Sequence, residues 1–189
     1  MLAVEICSAS YYIDNTLETV VGNAICADGA AALLMSTEAG QNAAGLPRVV
    51  DVQSYLDSEQ LDKVGFGQRQ GKLRIILHPS IRDLAAGMIE RAVAPLLERN
   101  GLGRADIRFW VAHPGGRKVI DNVQQQLGLT DDELRFSRTV LRNFGNMSSP
   151  TVLFVLSEVV RNGNPQPGDW GVMVALGPGM AAEAALLQW

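Results

Sequence analysis

The sequence predicts an α/β fold built around a mixed β-sheet that is covered on both faces by helices. Short continuous apolar runs of strand length, such as residues 107–112, are typical of strands buried on both sides. Among them lie stretches whose apolar residues recur at helical spacing, the longest over residues 80–100. With 47% hydrophobic and 19% charged residues, the 189-residue chain is also apolar and long enough to bury a substantial core.

The strand predictions rest on apolar runs and on alternating patterns bounded by turn residues. The predicted strands are Leu2–Ser8, a buried strand over Ala30–Ser36 after an Ala-Asp-Gly turn, Arg48–Tyr55, Lys72–Leu77, Ile107–Ala112, and two buried strands within residues 170–189. The last two are joined through Gly177-Pro178-Gly179, which predicts a hairpin.

The helix predictions rest on apolar spacing together with start and stop residues. Four helices are predicted: Ser80–Asn100, Arg117–Leu127 ending at Gly128, a short helix begun by a Thr130/Glu133 capping box, and one with Pro150 in its first turn and its body over Val152–Arg161. Residues 1–40 contribute strands but no long covering helix. That imbalance indicates the end of an earlier structural unit.

The composition argues against several classes of function. A net charge of −4 without basic clusters gives no footprint for nucleic acid, and no apolar stretch reaches the length that a membrane helix needs. Cys7 and Cys26 lie outside any CxxC or Cys/His spacing, so no metal site is predicted. The first ten residues lack the pattern of a secretory signal. A cytoplasmic protein with reduced thiols is expected.

Two polar residues at breaks in the pattern are candidates for chemistry. His113 ends an apolar strand and precedes Pro-Gly-Gly, a backbone that lets a ligand approach closely, although a histidine satisfied within a loop gives the same pattern. Asn146 lies between two helices, where its amide could hold a carbonyl oxygen, or where the loop serves only to cap the next helix through Ser148 and Ser149. His78 fits a solvated helix boundary. No nucleotide-phosphate motif is present.

Four segments then resemble the chalcone and stilbene synthase family, the type III polyketide synthases, in family order and spacing. They are VGNAICADGAAALL, WVAHPGGRKVIDNVQQQLGL, LRNFGNMSSPTVLFVLSEVVR and DWGVMVALGPGMAAEAALLQW. The resemblance implies the thiolase fold, with layers ordered α-β-α-β-α when complete, in a homodimer. Residues 1–40 would be the terminal strands of the N-terminal thiolase half, and residues 41–189 the C-terminal domain. EICSASYYID and FGQRQGKLRIIL resemble bacterial members.

The resemblance also implies a chemistry and a set of site residues. The family uses a Cys–His–Asn triad on malonyl-CoA and an acyl-CoA starter, with no cofactor beyond these coenzyme A thioesters. His113 would help hold the thiolate and, with Asn146, would donate hydrogen bonds to the thioester oxygen. Cys26 falls at a family gate position, and the second gate falls near Arg74 or Ile75. The other residues expected to contact substrate are Gly115, Ser148, Gly177, Pro178 and Gly179.

The family's nucleophilic cysteine precedes the strand represented by LAVEICS, so it is expected outside this chain. The chain would then act with the N-terminal portion of the same enzyme as its partner and would be inactive alone. Two alternatives stay open: a non-catalytic thiolase-fold subunit that binds a partner chain or a pantetheine ligand, and a relative of the β-ketoacyl-carrier-protein synthases.

Overall fold

The computed structural model describes residues 1–11, 13, 16–37, 45–69 and 71–189. The predicted boundary between residues 40 and 41 lies outside them. The described strands are β1 (Leu2–Glu5), β2 (Gly29–Ala32), β3 (Arg48–Leu56), β4 (Val64–Arg69), β5 (Lys72–Leu77), β6 (Ile107–Ala112), β7 (Trp170–Gly177) and β8 (Ala181–Gln188). The described α-helices are α1 (Leu17–Ile25), α2 (Ile81–Arg99), α3 (Arg117–Leu127), α4 (Arg135–Phe144) and α5 (Ser149–Asn162).

The central sheet has four strands in the order β3-β8-β7-β6. β6 and β7 run parallel, whereas the β7–β8 and β8–β3 pairs are antiparallel, so the sheet is mixed as predicted. β6 and β7 therefore end at the same edge of the sheet. The pairs β1–β2 and β4–β5 form two separate two-stranded sheets.

Helices cover both faces of this sheet, as the pattern of buried strands and amphipathic helices predicted. Helices α2 and α3 pack on one face, in a core that includes Leu96, Trp110 and Leu186. Helices α4 and α5 pack on the other face, where Val111 and Val140 belong to a second buried cluster. Successive side chains of β6 are buried alternately in these two clusters, which explains why the strand is apolar at nearly every position.

Most of the predicted elements are confirmed within about two residues. α3 matches its prediction from Arg117 to Leu127, and Gly128 ends it with φ of 62°. The Thr130/Glu133 box forms, with the Glu133 carboxylate accepting from the Thr130 N–H at 2.7 Å, although the α-helix that follows begins only at Arg135. The Gly-Pro-Gly segment joins β7 to β8 as a hairpin.

The N-terminal region differs from its prediction. Strand β1 ends at Glu5 because residues 7–10 form a 3-10 turn, and the Asp28 carboxylate accepts from the N–H and hydroxyl of Ser8. The prediction of a buried strand over Ala30–Ser36 is wrong, since β2 ends at Ala32 and Leu34 is 95% exposed. Helix α5 contacts β2, but Leu34 and Met35, beyond the end of the strand, are exposed.

Two further elements were not predicted. α1 follows Thr16, whose side chain accepts a hydrogen bond from the Thr19 N–H. The helix lies within the part of the chain for which only strands were predicted. β4 is rich in glycine and polar residues, and it is held by pairing with β5 rather than by an apolar pattern of its own.

Candidate active site

His113 is the residue at which β6 gives way to a turn. Its backbone N–H donates to the carbonyl of Val174 on β7 over 2.8 Å, one residue beyond the last strand pair. Pro114 supplies no backbone donor, and Gly115 and Gly116 then lead into α3 without side chains. His113 therefore lies at the edge of the sheet where the parallel strands end, a common place for sites in α/β proteins.

The surroundings of His113 keep its side chain neutral. The residue as a whole keeps some exposed surface, but its side chain is buried among protein atoms, and this burial lowers the pKa of His113 from 6.5 to about 4. Desolvation has this effect because an imidazolium loses more hydration than a neutral ring. At pH 7 the ring thus has one N–H donor and one lone pair.

Asn146 lies in the loop that connects α4 to α5, and its backbone is held on both sides. The Asn146 N–H donates to the Ile25 carbonyl at 2.9 Å, and the Asn146 carbonyl accepts from the Ala27 N–H at 2.8 Å. Gly145, with φ of 75°, precedes it; a Cβ there would lie 3.1 Å from that of Ala27. Only glycine fits this close approach at a positive φ.

The side-chain amide of Asn146 is oriented by two hydrogen bonds. Its Nδ2 donates to the Gly115 carbonyl at 3.1 Å, and its Oδ1 accepts from the Ser148 N–H at 2.9 Å. One of the two Nδ2 protons is used in this way, which leaves the second able to reach a ligand oxygen. The contact with Gly115 brings the Asn146 loop against the turn that begins at His113, across a sequence separation of 31 residues between the bonded partners.

Ser148 adopts a strained backbone beside that amide. Its φ is 58° and its ψ is −126°, a conformation that non-glycine residues rarely take. Its N–H is the donor that fixes the Asn146 oxygen. Strain of this kind persists where surrounding contacts hold the chain, and it often occurs at functional sites.

Cys26 lies directly beside Asn146, to which it is paired as an isolated parallel β-bridge. Burial, followed by the neighbouring Cys7, raises the pKa of the Cys26 thiol to about 11. The thiol is therefore protonated at neutral pH and is a poor nucleophile. The Cys26 carbonyl accepts from the Tyr11 hydroxyl at 2.7 Å, which ties the 3-10 turn to the end of α1.

A pocket of about 60 Å³ opens beside Cys26. Arg74 and Ile75, the two positions considered for the second gate residue, both line it, and so do Tyr11 and Thr19. No pattern in the sequence marks Tyr11 or Thr19 as site residues. Recognition of α1 and of the turn before it would have been needed to find them, because the pocket lies between these elements and β5.

The Gly-Pro-Gly turn lies at the end of β7, on the same edge of the sheet as His113. Its described contacts are with other elements: the Gly179 N–H donates to the Val64 carbonyl at 3.0 Å, and a Cβ at Gly179 would meet Leu61. Contact of Gly177, Pro178 and Gly179 with substrate therefore stays a prediction.

Two further properties concern metal ligands and helix length in the described residues. In the described part of the chain, no three His, Cys, Asp or Glu side chains are grouped so that they could hold a metal ion. None of the helices in that part combines the length and the apolarity that crossing a bilayer requires.

Comparison with known proteins identifies the family. Residues 51–189 match the family described as chalcone and stilbene synthases, C-terminal domain. The chain belongs to this family. Relatives that match along the whole chain are type III polyketide synthases, so the resemblance seen in the four sequence segments is confirmed.

The curated relatives include a 3,5-dihydroxyphenylacetyl-CoA synthase of Amycolatopsis balhimycina, which is 38% identical over the whole chain and 51% of its own length. A 1,3,6,8-tetrahydroxynaphthalene synthase of Streptomyces peucetius subsp. caesius is 36% identical over the whole chain and 50% of its own length. The chain thus spans about half the length of the curated relatives it matches.

Solved structures of this family confirm the thiolase-like α/β fold. The 1,3,6,8-tetrahydroxynaphthalene synthase of Streptomyces coelicolor A3(2), a bacterial type III polyketide synthase, superposes with a TM-score of 0.91 at 25% identity, over the whole chain and 53% of that structure. The PKS-I protein of the brown alga Ectocarpus siliculosus gives 0.86 at 30% identity, over the whole chain and 52% of that structure.

Proposed function

We propose that this chain provides the thioester-binding part of the active site of a type III polyketide synthase, which decarboxylates malonyl-CoA and condenses it with an acyl starter. The observation that carries the proposal is the contact between the Asn146 amide and the Gly115 carbonyl. It brings two hydrogen-bond donors, the His113 ring and the Asn146 amide, onto neighbouring loops at one edge of the sheet. A binding subunit without chemistry would have no need of this pair.

The pair suits a reaction in which negative charge develops on a thioester oxygen. Loss of carbon dioxide breaks the bond between the malonyl carboxylate and the α-carbon, and the electron pair stays behind as an enolate. The charge of that enolate lies largely on the thioester oxygen, where hydrogen bonds from His113 and Asn146 stabilise it. A neutral imidazole, which a pKa of about 4 ensures, serves here as a donor, and no general base is needed.

The condensation step requires a nucleophile that carries the acyl starter. The enolate carbon attacks the carbonyl of a cysteine thioester, a carbon–carbon bond forms, and the thiolate leaves. Cys26 is unsuited to this role because its pKa is about 11. In the proposed enzyme the nucleophilic cysteine belongs to the N-terminal portion, and His113 helps to hold its thiolate.

An exposed apolar surface supports the need for that portion. Leu2, Val4, Leu17 and Leu34, on or beside β1, α1 and β2, are between 63% and 95% exposed. Large apolar side chains exposed in one region of a chain are typical of an interface. The proposed enzyme joins both portions, works as a cytoplasmic homodimer and uses coenzyme A thioesters without a further cofactor. In it, residues 1–40 complete the N-terminal thiolase half. The substrate contacts in this enzyme come from Cys26, Gly115, Ser148 and the Gly-Pro-Gly turn.

The decisive experiment compares variants in the assembled synthase, that is, this chain together with the N-terminal portion. His113→Ala and Asn146→Ala should each lower malonyl-CoA decarboxylation by roughly 100- to 1,000-fold, the usual cost of losing one oxyanion donor. His78→Ala is the matched control, since His78 is exposed and its ring is hydrogen-bonded to Ser80, at the start of α2. Carbon dioxide release is measured with labelled malonyl-CoA, and folding by circular dichroism. Wild-type rates in both site variants would refute the oxyanion assignment.

The need for a second portion is tested separately. The purified 189-residue chain should release no carbon dioxide from malonyl-CoA, whereas the assembled synthase should do so and form product. Product formed by this chain alone would show that the nucleophile is not missing from it.

A further inference from the structure

The peptide bond between Ala112 and His113 is held at both of its polar atoms. The His113 N–H donates to the Val174 carbonyl at 2.8 Å, and the Ala112 carbonyl accepts from the hydroxyl of Ser137 at 2.6 Å. Ser137 belongs to α4, on the other side of this peptide from β7. The imidazole of His113 therefore extends from a peptide that is fixed between a strand and a helix.

The hydrogen bond from Ser137 forms where solvent cannot replace it. Ser137 has no exposed surface, and Ala112 is 6% exposed. Serines within helices commonly turn the hydroxyl back to a carbonyl of their own helix, but Ser137 reaches across to the end of β6 instead. Without this hydroxyl, the buried Ala112 carbonyl would lose its hydrogen-bond donor, and water could not reach it to replace the donor. A buried carbonyl without a donor is costly, so the surrounding chain rearranges.

Helix α4 connects this anchor to the second donor of the site. It ends at Phe144, and Gly145 and Asn146 follow at once. The Asn146 amide returns to Gly115, two residues after His113. His113 is therefore connected to Asn146 in two ways. Through Ser137, the peptide before His113 is bonded to α4, which leads to Asn146; through Gly115, the turn that begins at His113 is bonded directly to the Asn146 amide.

We propose that Ser137 is a positioning residue that fixes the peptide before His113 to α4 and so sets the His113 imidazole relative to the Asn146 amide. This role deepens the proposed function and rests on it only for the effect on catalysis. The placement of the imidazole is a property of the chain itself and can be measured without substrate.

The test uses Ser137→Ala, which removes the donor, and Ser137→Thr, which keeps a hydroxyl. Val140→Ala is the matched control, because Val140 is also fully buried on α4 but belongs to an apolar cluster and has no hydroxyl. The chain contains two histidines, so the His113 imidazole signals are readily resolved by NMR. In Ser137→Ala the measured pKa of His113 should rise from about 4 toward its ordinary value as the turn loosens. Ser137→Thr should restore the wild-type value, and Val140→Ala should keep it.

The second measurement follows malonyl-CoA decarboxylation by the assembled synthase. Ser137→Ala should lower kcat by roughly 10- to 100-fold with little change in KM, since a displaced donor costs rate rather than binding. Ser137→Thr should recover most of this loss. Should Ser137→Ala fail to fold, Ser137→Cys, a weaker donor of similar size, should give an intermediate pKa and kcat.

Two results would overturn the proposal. One is a Ser137→Ala protein, or its Cys substitute, whose His113 signals and kcat equal those of the wild type. The other is a Val140→Ala protein that reproduces both changes at a similar loss of Tm, because general loosening of α4 would then explain them. If the wild-type synthase releases no carbon dioxide, the proposed function fails, whereas the NMR comparison still decides the role of Ser137.

Discussion

The pH dependence of stability gives a direct test of the environment assigned to His113. The folded-state pKa of about 4 lies below the value of about 6.5 expected in the unfolded chain. The contribution of His113 to the free energy of unfolding is therefore fully present above pH 6.5. It is lost as the pH falls toward 4, because over this range the unfolded chain binds a proton that the folded chain excludes. The loss between pH 7 and pH 5 amounts to about 2 kcal/mol.

This magnitude is measured as a difference between variants. Urea unfolding of the wild type and of His113→Gln is followed by circular dichroism at pH 7, 6 and 5. The wild type should lose about 2 kcal/mol more than His113→Gln over this range, while His78→Gln, which leaves His113 in place, should keep the wild-type loss. Asp28, Asp51 and Asp62, whose pKa values are lowered by hydrogen bonds, act in a more acidic range. Parallel curves for the wild type and His113→Gln would refute the buried, neutral imidazole.

Three further outcomes follow from contacts around the site. Gly145→Ala should destabilise the chain by about 2–4 kcal/mol in urea unfolding and should displace the Asn146 loop. The reason is that Gly145 has φ of 75° and that an added Cβ would meet Ala27. An unchanged unfolding midpoint would contradict this close approach. Gly29→Ala should cost a comparable amount, because its Cβ would lie 2.5 Å from the Met147 sulfur; replacing Met147 by Ala in the same chain should recover part of it. Alkylation of Cys26 by iodoacetamide, followed by mass spectrometry, should be slow at pH 7 and accelerate up to about pH 11; rapid reaction at pH 7 would contradict its raised pKa.

The central sheet and its helices could be predicted because their patterns are local. Ile107–Ala112 is apolar at nearly every position, and Arg117–Leu127 is bounded by a glycine pair and by Gly128. These signals lie within the segments themselves and need no partner. The Thr130/Glu133 box is likewise complete within four residues, and its hydrogen bonds form as expected.

The N-terminal region could not be predicted in the same way because its structure depends on distant partners. α1 contains Val20, Val21 and Ile25, whose β-branched side chains favour strands, yet it forms a helix capped by Thr16. The run Ala30–Ser36 is apolar enough for a buried strand, but burial depends on a covering layer that periodicity does not reveal. The strand conformation of β4 depends on its pairing with β5, in which Phe66 lies opposite Ile75.

The residue types of the candidate site stand out in the sequence, but the contacts between them do not. His113 and Asn146 lie at breaks in the pattern, and the resemblance to the family implies a role for them. The contact of Asn146 with Gly115 and the bond from Ser137 to Ala112 join segments 25 to 31 residues apart, and no local pattern encodes either bond. Ser137 in particular resembles any other small residue on the buried face of a helix.

The backbone pairing between Cys26 and Asn146 has a consequence for how a complete site would be assembled. Asn146 is bonded to Ile25 and Ala27 through its main chain, so backbone hydrogen bonds attach the segment that carries Cys26 to the Asn146 loop. Ser149 adds a second link, because its hydroxyl donates to the Glu5 carboxylate at 2.6 Å. β1 and β2 are therefore attached to the donor side of the site rather than held apart from it. In the proposed synthase, an N-terminal portion that packs on their exposed apolar residues is placed relative to Asn146 through these contacts, and the proposed delivery of a cysteine thioester to His113 and Asn146 depends on such placement.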